Sequence, residues 1–136
     1  MTDRYALLGH PVSHSRSPAV HKAFAEQTGQ NISYELQDVP PGTLGNFLQD
    51  FFAHNGKGGN ITLPLKLEAF RLADHSSERA SLAGAVNTFW IDSKNTLHGD
   101  NTDGFGLVQD VAVNLAVALK GKRVLVLGAG GAARGV

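Results

Sequence analysis

The 136-residue sequence predicts an α/β fold with a mixed, mainly parallel sheet and helices on both faces. Two observations lead to this class. Segments of strand periodicity alternate with segments of helical periodicity in the order β-α-β-α-β-α-β-β-α-β, which is typical of a sheet with helical crossovers. One hairpin interrupts the alternation, so some strands are expected to run antiparallel.

The first third of the chain predicts two strands joined by a helix. Residues 4–9 form a short apolar run, and residues 32–39 alternate apolar and polar side chains, as strands do. Ser17 and Pro18 suit the N-cap and the first turn of a helix that Gly29 ends. Together these segments predict a β-α-β unit.

The middle of the chain predicts three helices around one short strand. Apolar residues in 44–52 recur at the spacing of an amphipathic helix. A glycine-rich turn is predicted at 54–59 and a short strand at 60–63. Pro64 then begins a helix that runs to about residue 73, and a short helix follows near 77–82.

The last third predicts a hairpin, a long helix and a buried strand. Residues 86–91 and 96–99 flank a four-residue turn, which predicts the hairpin. Residues 104–119 show the clearest helical periodicity, and Gly121 ends that helix. The continuous Val and Leu run at 123–127 is expected of a strand buried on both faces.

Composition excludes several classes of function. Twelve basic residues balance twelve acidic ones without a block of either sign, so no nucleic-acid partner is expected. The sequence has no cysteine, which excludes disulfide scaffolds and zinc–thiolate sites. The histidines are scattered, so no metal site is expected. No segment resembles a signal peptide or a membrane span, so we expect a cytoplasmic protein without a membrane partner.

A glycine-rich loop follows the predicted strand at 123–127. Residues 128–133 fit G-x-G-x-x-A, in which the first glycine permits a tight turn and the second lets the backbone approach a diphosphate. The alternative is a glycine-rich turn that binds nothing. The residue that selects the ribose 2′ group lies about 20 positions further on, so only the start of a Rossmann-type domain is expected here: its first strand and its loop.

Four polar clusters lie where predicted strands end or helices begin, the places where ligands bind in open α/β sheets. The residues concerned are Ser15 and Ser17, then Asn60, Thr62 and Lys66, then Asn87, and finally Asp100, Asn101, Thr102 and Asp103. Together they offer hydroxyls, amides, one lysine and carboxylates. This combination suits a polyhydroxylated carboxylate.

Each cluster also has a structural interpretation. Ser17 alone could be an ordinary N-cap, Asn87 an ordinary turn residue, and one or two of residues 100–103 helix caps. Lys66 could be a solvated surface lysine, although a cation in the first turn of a helix opposes the helix dipole.

Five motifs resemble those of shikimate dehydrogenase in order and spacing: HSRSPAVHKAF, GNITLPLK, GAVNT, GDNTDGFG and GAGGAARGV. The resemblance runs from Gly9 to Val136, with Lys22 standing where the family usually has Asn. It implies a substrate-binding domain at 1–100, a connecting helix at 101–120 and the truncated start of an NADP-binding Rossmann domain at 121–136.

The resemblance also implies roles for individual residues. Ser15 and Ser17 would hold the shikimate carboxylate, and Asn60, Thr62 and Asn87 would bind the ring hydroxyls. Lys66 and Asp103 would contact the substrate and form the catalytic pair. The diphosphate loop would consist of Gly128, Ala129, Gly130, Gly131 and Ala132.

The implied activity is NADPH-dependent, reversible reduction of 3-dehydroshikimate to shikimate, in the biosynthesis of chorismate and aromatic amino acids. The expected partner is this small-molecule substrate, and the expected state is a monomer or a homodimer. We expect the 136-residue chain to keep substrate binding but not turnover. Two alternatives are a quinate/shikimate dehydrogenase with broader substrate use and a shikimate-binding module without catalysis.

Overall fold

Six strands form one mixed sheet in the computed structural model, which describes residues 2–136. The strands are Asp3–Gly9 (β1), Ile32–Asp38 (β2), Gly56–Ile61 (β3), His75–Ser76 (β4), Thr88–Ile91 (β5) and Leu97–Asp100 (β6). The α-helices are Ser17–Thr28 (α1), Leu44–Ala53 (α2), Lys66–Leu72 (α3), Glu78–Ala83 (α4), Asp103–Gln109 (α5) and Gly131–Arg134 (α6). Within residues 2–136, none of the helices has the length and apolarity needed to cross a membrane.

The sheet is mixed and mainly parallel, as the element order predicts. Its strand order is β2-β1-β3-β5-β6-β4. The pairs β1–β2, β1–β3 and β4–β6 are parallel, whereas β3–β5 and β5–β6 are antiparallel. Crossovers from β1 to β2 and from β2 to β3 move in opposite directions along the sheet. Since such crossovers are right-handed, α1 and α2 lie on opposite faces.

The hydrophobic core lies on the face that α2 and α3 cover. It is built from alternate residues of the strands and from the apolar sides of these helices, which include Leu8, Leu44, Leu48, Phe51, Ile61, Leu65 and Phe89. On the opposite face α1 buries none of its residues. The aliphatic and aromatic residues Val20 and Phe24 of α1 are about half exposed.

Topology brings four chain segments to one edge of the sheet. The parallel strands β1 and β3 both end there. Because β5 runs antiparallel to β3, it begins at this edge, and β6, antiparallel to β5, ends there. The segments after β1, after β3, before β5 and after β6 therefore meet, and these segments carry the four polar clusters.

The turn predicted at 54–59 is limited to His54 and Asn55, because β3 begins at Gly56 and the glycines of this segment belong to the strand. They are there because neighbouring groups come too close for a side chain. A Cβ on Gly59 would lie 1.9 Å from the carbonyl oxygen of Ala6, and one on Gly58 would lie 2.4 Å from that of Phe89. Composition alone does not distinguish such a strand from a glycine-rich turn.

The helix predicted at 104–119 is shorter in the structure. It starts at Asp103, becomes a π-helical turn over Asp110–Asn114 and stops there. Ala116 has the left-handed φ of 53°, which ends the helical path. The apolar side chains of this segment are exposed, with Leu115 at 62%. Since packing of an apolar face supplies most helical stability, an unpacked segment does not stay helical.

The strand predicted at 123–127 is also not formed. None of the six strands of the described part of the chain pairs with it. Its side chains are exposed, with Leu125 at 82% and Leu127 at 86%. A strand of this composition is stable when neighbours cover both its faces and both its edges, and no such neighbours are present around it here.

The starts of two helices and one short strand also differ from the prediction. Helix α1 has Arg16, not Ser17, at its N-cap position, and Ser17 is its first residue. Helix α3 begins at Lys66, two residues after Pro64. The two-residue strand β4 has no periodic signature in the sequence, because two residues are too few to show one.

The close approach of β1 and β3 leads to a stability prediction. We expect Gly59→Ala to lower the free energy of unfolding by about 3 kcal/mol or more, because the new methyl group collides with the Ala6 carbonyl oxygen. Gly106→Ala in α5 is the matched control, since no atom lies within 4 Å of its added Cβ. It should be neutral or stabilising by up to about 1 kcal/mol. Urea unfolding measures both, and equal midpoints for the two variants would contradict the packing argument.

Candidate functional site

An ion pair between Lys66 and Asp103 lies at the centre of the sheet edge. Each residue is the first of its helix, α3 and α5 respectively. The Lys66 Nζ donates to Asp103 Oδ2 at 2.6 Å, and the Lys66 side chain is only 10% exposed. The interpretation of Lys66 as a solvated surface lysine is therefore wrong. The Asp103 side chain, at 30%, stays accessible to a ligand.

The amide of Asn87 connects this pair to the surrounding backbone. Its Nδ2 donates to Asp103 Oδ1 at 2.8 Å and to Thr102 Oγ1 at 3.0 Å. Its Oδ1 accepts from the backbone N–H of Thr102 at 2.9 Å and from the Thr88 hydroxyl at 2.9 Å. Asn87 is thus more than an ordinary turn residue, because its amide fixes the carboxylate that holds Lys66.

Asp103 accepts a hydrogen bond at each of its two oxygens, one from Lys66 and one from Asn87. Two accepted bonds are the pattern of a carboxylate, and such charge-assisted bonds are the stronger ones. The ammonium group of Lys66 has three protons and uses one on Asp103. The remaining protons are available to an oxygen atom of a ligand.

Ser15 and Ser17 form a second polar group where α1 begins. The Ser15 hydroxyl donates to Ser17 Oγ at 3.1 Å and accepts from the Ser17 backbone N–H at 3.2 Å. Ser17 therefore does not cap the helix, and its own backbone N–H is satisfied by the Ser15 hydroxyl. The two hydroxyls lie next to each other at the N-terminus of α1, where the partial positive charge of the helix favours an anion.

Asn60 lies near the end of β3, and Thr62 comes directly after the strand. Asn60 Nδ2 donates to the Asn87 carbonyl oxygen at 3.3 Å and to Thr88 Oγ1 at 3.2 Å. Its Oδ1 accepts from the Tyr34 hydroxyl at 2.7 Å. The backbone N–H of Thr62 continues the sheet by donating to the Leu8 carbonyl at 2.8 Å. Asn60 joins the Asn87 network, whereas the Thr62 methyl group lies next to Gly9.

The fourth cluster divides into a structural half and a site half. Asp100 accepts from Ser77 and binds the guanidinium of Arg79 through both its oxygens. The hydrogen bond from Arg79 lowers the pKa of Asp100 to about 2. Asn101 is buried, and its Nδ2 donates to the Ala85 carbonyl at 3.0 Å. Asp100 and Asn101 therefore fix the loop, and Thr102 and Asp103 face the site.

The glycine-rich loop lies against the same site. A Cβ on Gly131 would come within 3.2 Å of the Lys66 Cβ, and one on Gly104 would come within 2.0 Å of the Gly135 carbonyl oxygen. Gly128 has the positive φ of 127°, and the space around Gly130 is open. These backbone features fit a diphosphate loop. The residues that would hold the group are Gly128, Ala129, Gly130, Gly131 and Ala132.

Sequence reasoning assigns no role in the site to three residues that contribute hydrogen bonds to the network: Tyr34, Thr88 and Thr102. Thr102 is expected only as a member of the fourth polar cluster. Thr88 and Thr102 sit beside Asn87 and Asp103 in the GAVNT and GDNTDGFG motifs, so the motifs contain them. Tyr34 lies in the alternating strand β2, where a tyrosine is an ordinary strand residue. Its contact with Asn60 depends on the tertiary structure.

Comparison with known proteins gives one family. The model of the shikimate dehydrogenase substrate binding domain matches residues 7–89, more than half of the chain. A shikimate dehydrogenase (NADP(+)) of Cupriavidus necator is 54% identical over 134 residues, which are 98% of this chain and 45% of that protein. The chain spans about half the length of the curated relatives it matches.

Solved structures show the same fold. The shikimate 5-dehydrogenase of Thermus thermophilus, in complex with NADP(H) and shikimate, is 42% identical with a TM-score of 0.90. It matches over 99% of this chain and 50% of that one. An Ael1 enzyme from Pseudomonas putida is also 42% identical, with a TM-score of 0.92 over 98% of this chain and 49% of that one.

The lowered pKa of Asp100 leads to a prediction about acid stability. Because the folded value of about 2 lies below the ordinary 3.8, Asp100 stabilises the fold above pH 4 and loses this contribution as the pH falls towards 2. We expect Asp100→Asn to remove about 1–2 kcal/mol of that pH dependence, after allowance for solvent exposure. Denaturant unfolding at pH 2 to 6 measures it.

Arg79→Gln is the matched partner variant for this measurement. It removes the main cause of the lowered pKa and should flatten the same part of the pH profile. A profile between pH 4 and 2 that is identical in the parent protein and both variants would contradict the role given to the Asp100–Arg79 pair.

Proposed function

The chain belongs to the shikimate dehydrogenase substrate-binding domain family, and from this premise we propose that it binds shikimate and 3-dehydroshikimate at the edge where Lys66 meets Asp103. In the complete protein this half would serve the NADPH-dependent, reversible reduction of 3-dehydroshikimate to shikimate. A place in chorismate and aromatic amino-acid biosynthesis, a cytoplasmic location and a monomeric or homodimeric state belong to the same proposal.

The observation that carries the proposal is the partly buried ion pair between Lys66 and Asp103, with the Asn87 amide on the second oxygen of Asp103. A hydroxylated ring needs several donors and acceptors at one place, and this edge offers an ammonium, a carboxylate and amides. The hydroxyls of Ser15 and Ser17 at the start of α1 suit the carboxylate of the same ligand.

The roles proposed for Lys66 and Asp103 follow from the proton that the substrate oxygen must gain or lose. Reduction of the ketone places negative charge on its oxygen, and a proton must reach that oxygen. Lys66, held at 2.6 Å from Asp103, would donate the proton from Nζ in this direction and accept one in the reverse direction. Asp103 would orient Lys66 and accept a hydrogen bond from the substrate.

The hydride requires a cofactor domain, of which residues 121–136 would be the start. Bound NADP(H) would supply or accept the hydride, as the names of the relatives indicate. The loop residues Gly128, Ala129, Gly130, Gly131 and Ala132 would hold the diphosphate. Because residues 123–127 form no strand and expose their side chains, the loop lacks the support of a sheet here.

For the 136-residue chain itself, we therefore propose substrate binding without turnover. The observation that favours this is the unformed strand before the loop. A quinate/shikimate dehydrogenase is the second candidate. The two candidates differ in substrate breadth, which the shape of the pocket around Ser15, Ser17 and Thr62 would decide. Titration with quinate beside shikimate separates these two candidates.

The binding proposal predicts a calorimetric result. Shikimate should bind the 136-residue chain, and the double variant Ser15→Ala, Ser17→Ala should weaken binding by about tenfold to a hundredfold, because charge-assisted hydrogen bonds to the carboxylate are lost. Ser93→Ala, in the exposed β5–β6 turn, is the control and should bind as the parent does. A folded parent chain, verified by circular dichroism, that binds no shikimate would overturn the proposal.

The catalytic role of Lys66 predicts a different pattern. In a full-length form with a complete cofactor domain, Lys66→Ala should lower kcat by about two to four orders of magnitude while changing substrate affinity much less. NADP-dependent oxidation of shikimate at saturating substrate measures kcat. If the variant kept kcat and raised only KM, Lys66 would be a binding residue and its acid–base role would be wrong. The 136-residue chain, in the same assay, should show no turnover.

A further inference from the structure

An aromatic pair on the less covered face of the sheet contacts the candidate site. The rings of His21 in α1 and Tyr34 in β2 are stacked, with centroids 3.9 Å apart and planes 5° from parallel. From this position the Tyr34 hydroxyl reaches across β1 to Asn60 on β3. The neighbouring residue of β3 on this face is Gly58, which has no side chain to block the path.

The direction of the Tyr34–Asn60 hydrogen bond follows from the surroundings of the amide. The other end of the Asn60 amide faces the Asn87 carbonyl oxygen and Thr88 Oγ1. A carbonyl oxygen only accepts, and the single proton of Thr88 goes to Asn87 Oδ1. The Asn60 NH₂ group must therefore point to them, so its Oδ1 points to Tyr34 and accepts from it.

The hydrogen bonds from Asn60 to Asp103 all run in the same direction, with each donor on the side away from the ion pair. Asn60 Nδ2 donates to Thr88 Oγ1 at 3.2 Å, and Thr88 donates to Asn87 Oδ1 at 2.9 Å. Asn87 Nδ2 then donates to Asp103 Oδ1 at 2.8 Å. Every group on this path has its donors and acceptors matched, and no group can be turned over without losing a partner. Such connected networks are mutually reinforcing.

Burial keeps both aromatic residues in the protonation state that the path requires. It raises the pKa of the Tyr34 hydroxyl, which therefore keeps its proton and acts as the donor. Burial also lowers the pKa of His21, against a smaller opposing effect of a hydrogen bond to Asn60, and this favours the neutral ring that stacks on Tyr34.

We propose that Tyr34 is a positioning residue, and that through Asn60 and Thr88 it reinforces the orientation of the Asn87 amide that holds Asp103. The backbone N–H of Thr102 fixes the same orientation from the other side of the amide. Thr88 has the same function as the middle member of the path. The effect on catalysis rests on the proposed function, whereas the effect on the amides does not depend on any ligand. Neither residue is assigned a contact with substrate or with the reacting atoms.

The first experiment needs no ligand. NMR spectra of the 136-residue chain resolve the side-chain amide groups of Asn60 and Asn87. Tyr34→Phe removes only the hydroxyl, and it should shift the Asn60 amide signals and, through Thr88, those of Asn87. Tyr5→Phe is the matched control, because Tyr5 is paired with Tyr34 in register on the adjacent strand. It should leave both amides unchanged.

Thr88→Val tests the middle of the path. It should shift the Asn60 and Asn87 amide signals in a protein that still folds, since valine preserves the shape of threonine and suits a strand. Unchanged Asn87 signals in both Tyr34→Phe and Thr88→Val would overturn the proposal, whether or not the chain binds shikimate.

The second experiment separates positioning from a general structural role. Tyr34→Phe should weaken shikimate binding by about three- to tenfold, the effect of one neutral hydrogen bond. It should leave binding of cyclohex-1-ene-1-carboxylate, which lacks the ring hydroxyls, unchanged in the same NMR titration. In an Asn60→Ala background Tyr34→Phe should have no further effect on shikimate.

Three outcomes of the titration have distinct meanings. Equal weakening of both ligands by Tyr34→Phe would indicate a structural defect and contradict the positioning role. Additive effects of Tyr34→Phe and Asn60→Ala would contradict it as well. If the parent chain bound neither ligand, the proposed function would fail, and the amide signals would still decide the positioning proposal.

Discussion

The partly buried contact between Lys66 and Asp103 is the constraint on which the rest of the site depends. Lys66 occupies the first position of α3, where the helix dipole disfavours a cation, and its side chain is largely withdrawn from water. An ammonium group that is largely withdrawn from water is costly without a partner of opposite charge. Asp103, at the start of α5, provides the compensating charge. The attraction between the two charges therefore helps to fix the position of α3 relative to α5.

The sheet topology makes this contact possible. A sheet with only parallel strands would bring only the carboxyl ends of its strands to this edge. Here the antiparallel strand β5 begins at the edge with Asn87 and β6 returns to it, so the chain delivers Asp103 opposite Lys66. The Asn87 amide lies between the two segments and bonds to both Thr102 and Asp103. The hairpin that interrupts the βα alternation thus assembles the site.

Sequence patterns were sufficient for the features that local chemistry determines. Periodicity predicted the α/β class and the mixed sheet, and polar residues at strand ends predicted Asn60, Lys66, Asn87 and Asp103 as neighbours. Patterns failed where tertiary contacts decide. Gly58 and Gly59 signal a turn by composition, but they serve the close approach of β3 to β1 and β5.

The remaining differences have the same origin. The run at 123–127 has the composition of a buried strand, yet no strand among residues 2–136 pairs with it. Tyr34 is an unremarkable strand residue until the sheet places it across β1 from Asn60. Neither the absence of pairing partners nor a contact that spans a strand is encoded in local spacing. Both depend on which elements are present and how they pack.

The most direct test of the account is a crystal structure of the 136-residue chain grown with saturating shikimate. We expect the ring between the Lys66–Asp103 pair and the Asn60 and Asn87 amides, with the carboxylate on the hydroxyls of Ser15 and Ser17. Shikimate bound elsewhere on the chain, with the Lys66–Asp103 contact unchanged and no ligand beside it, would contradict the account.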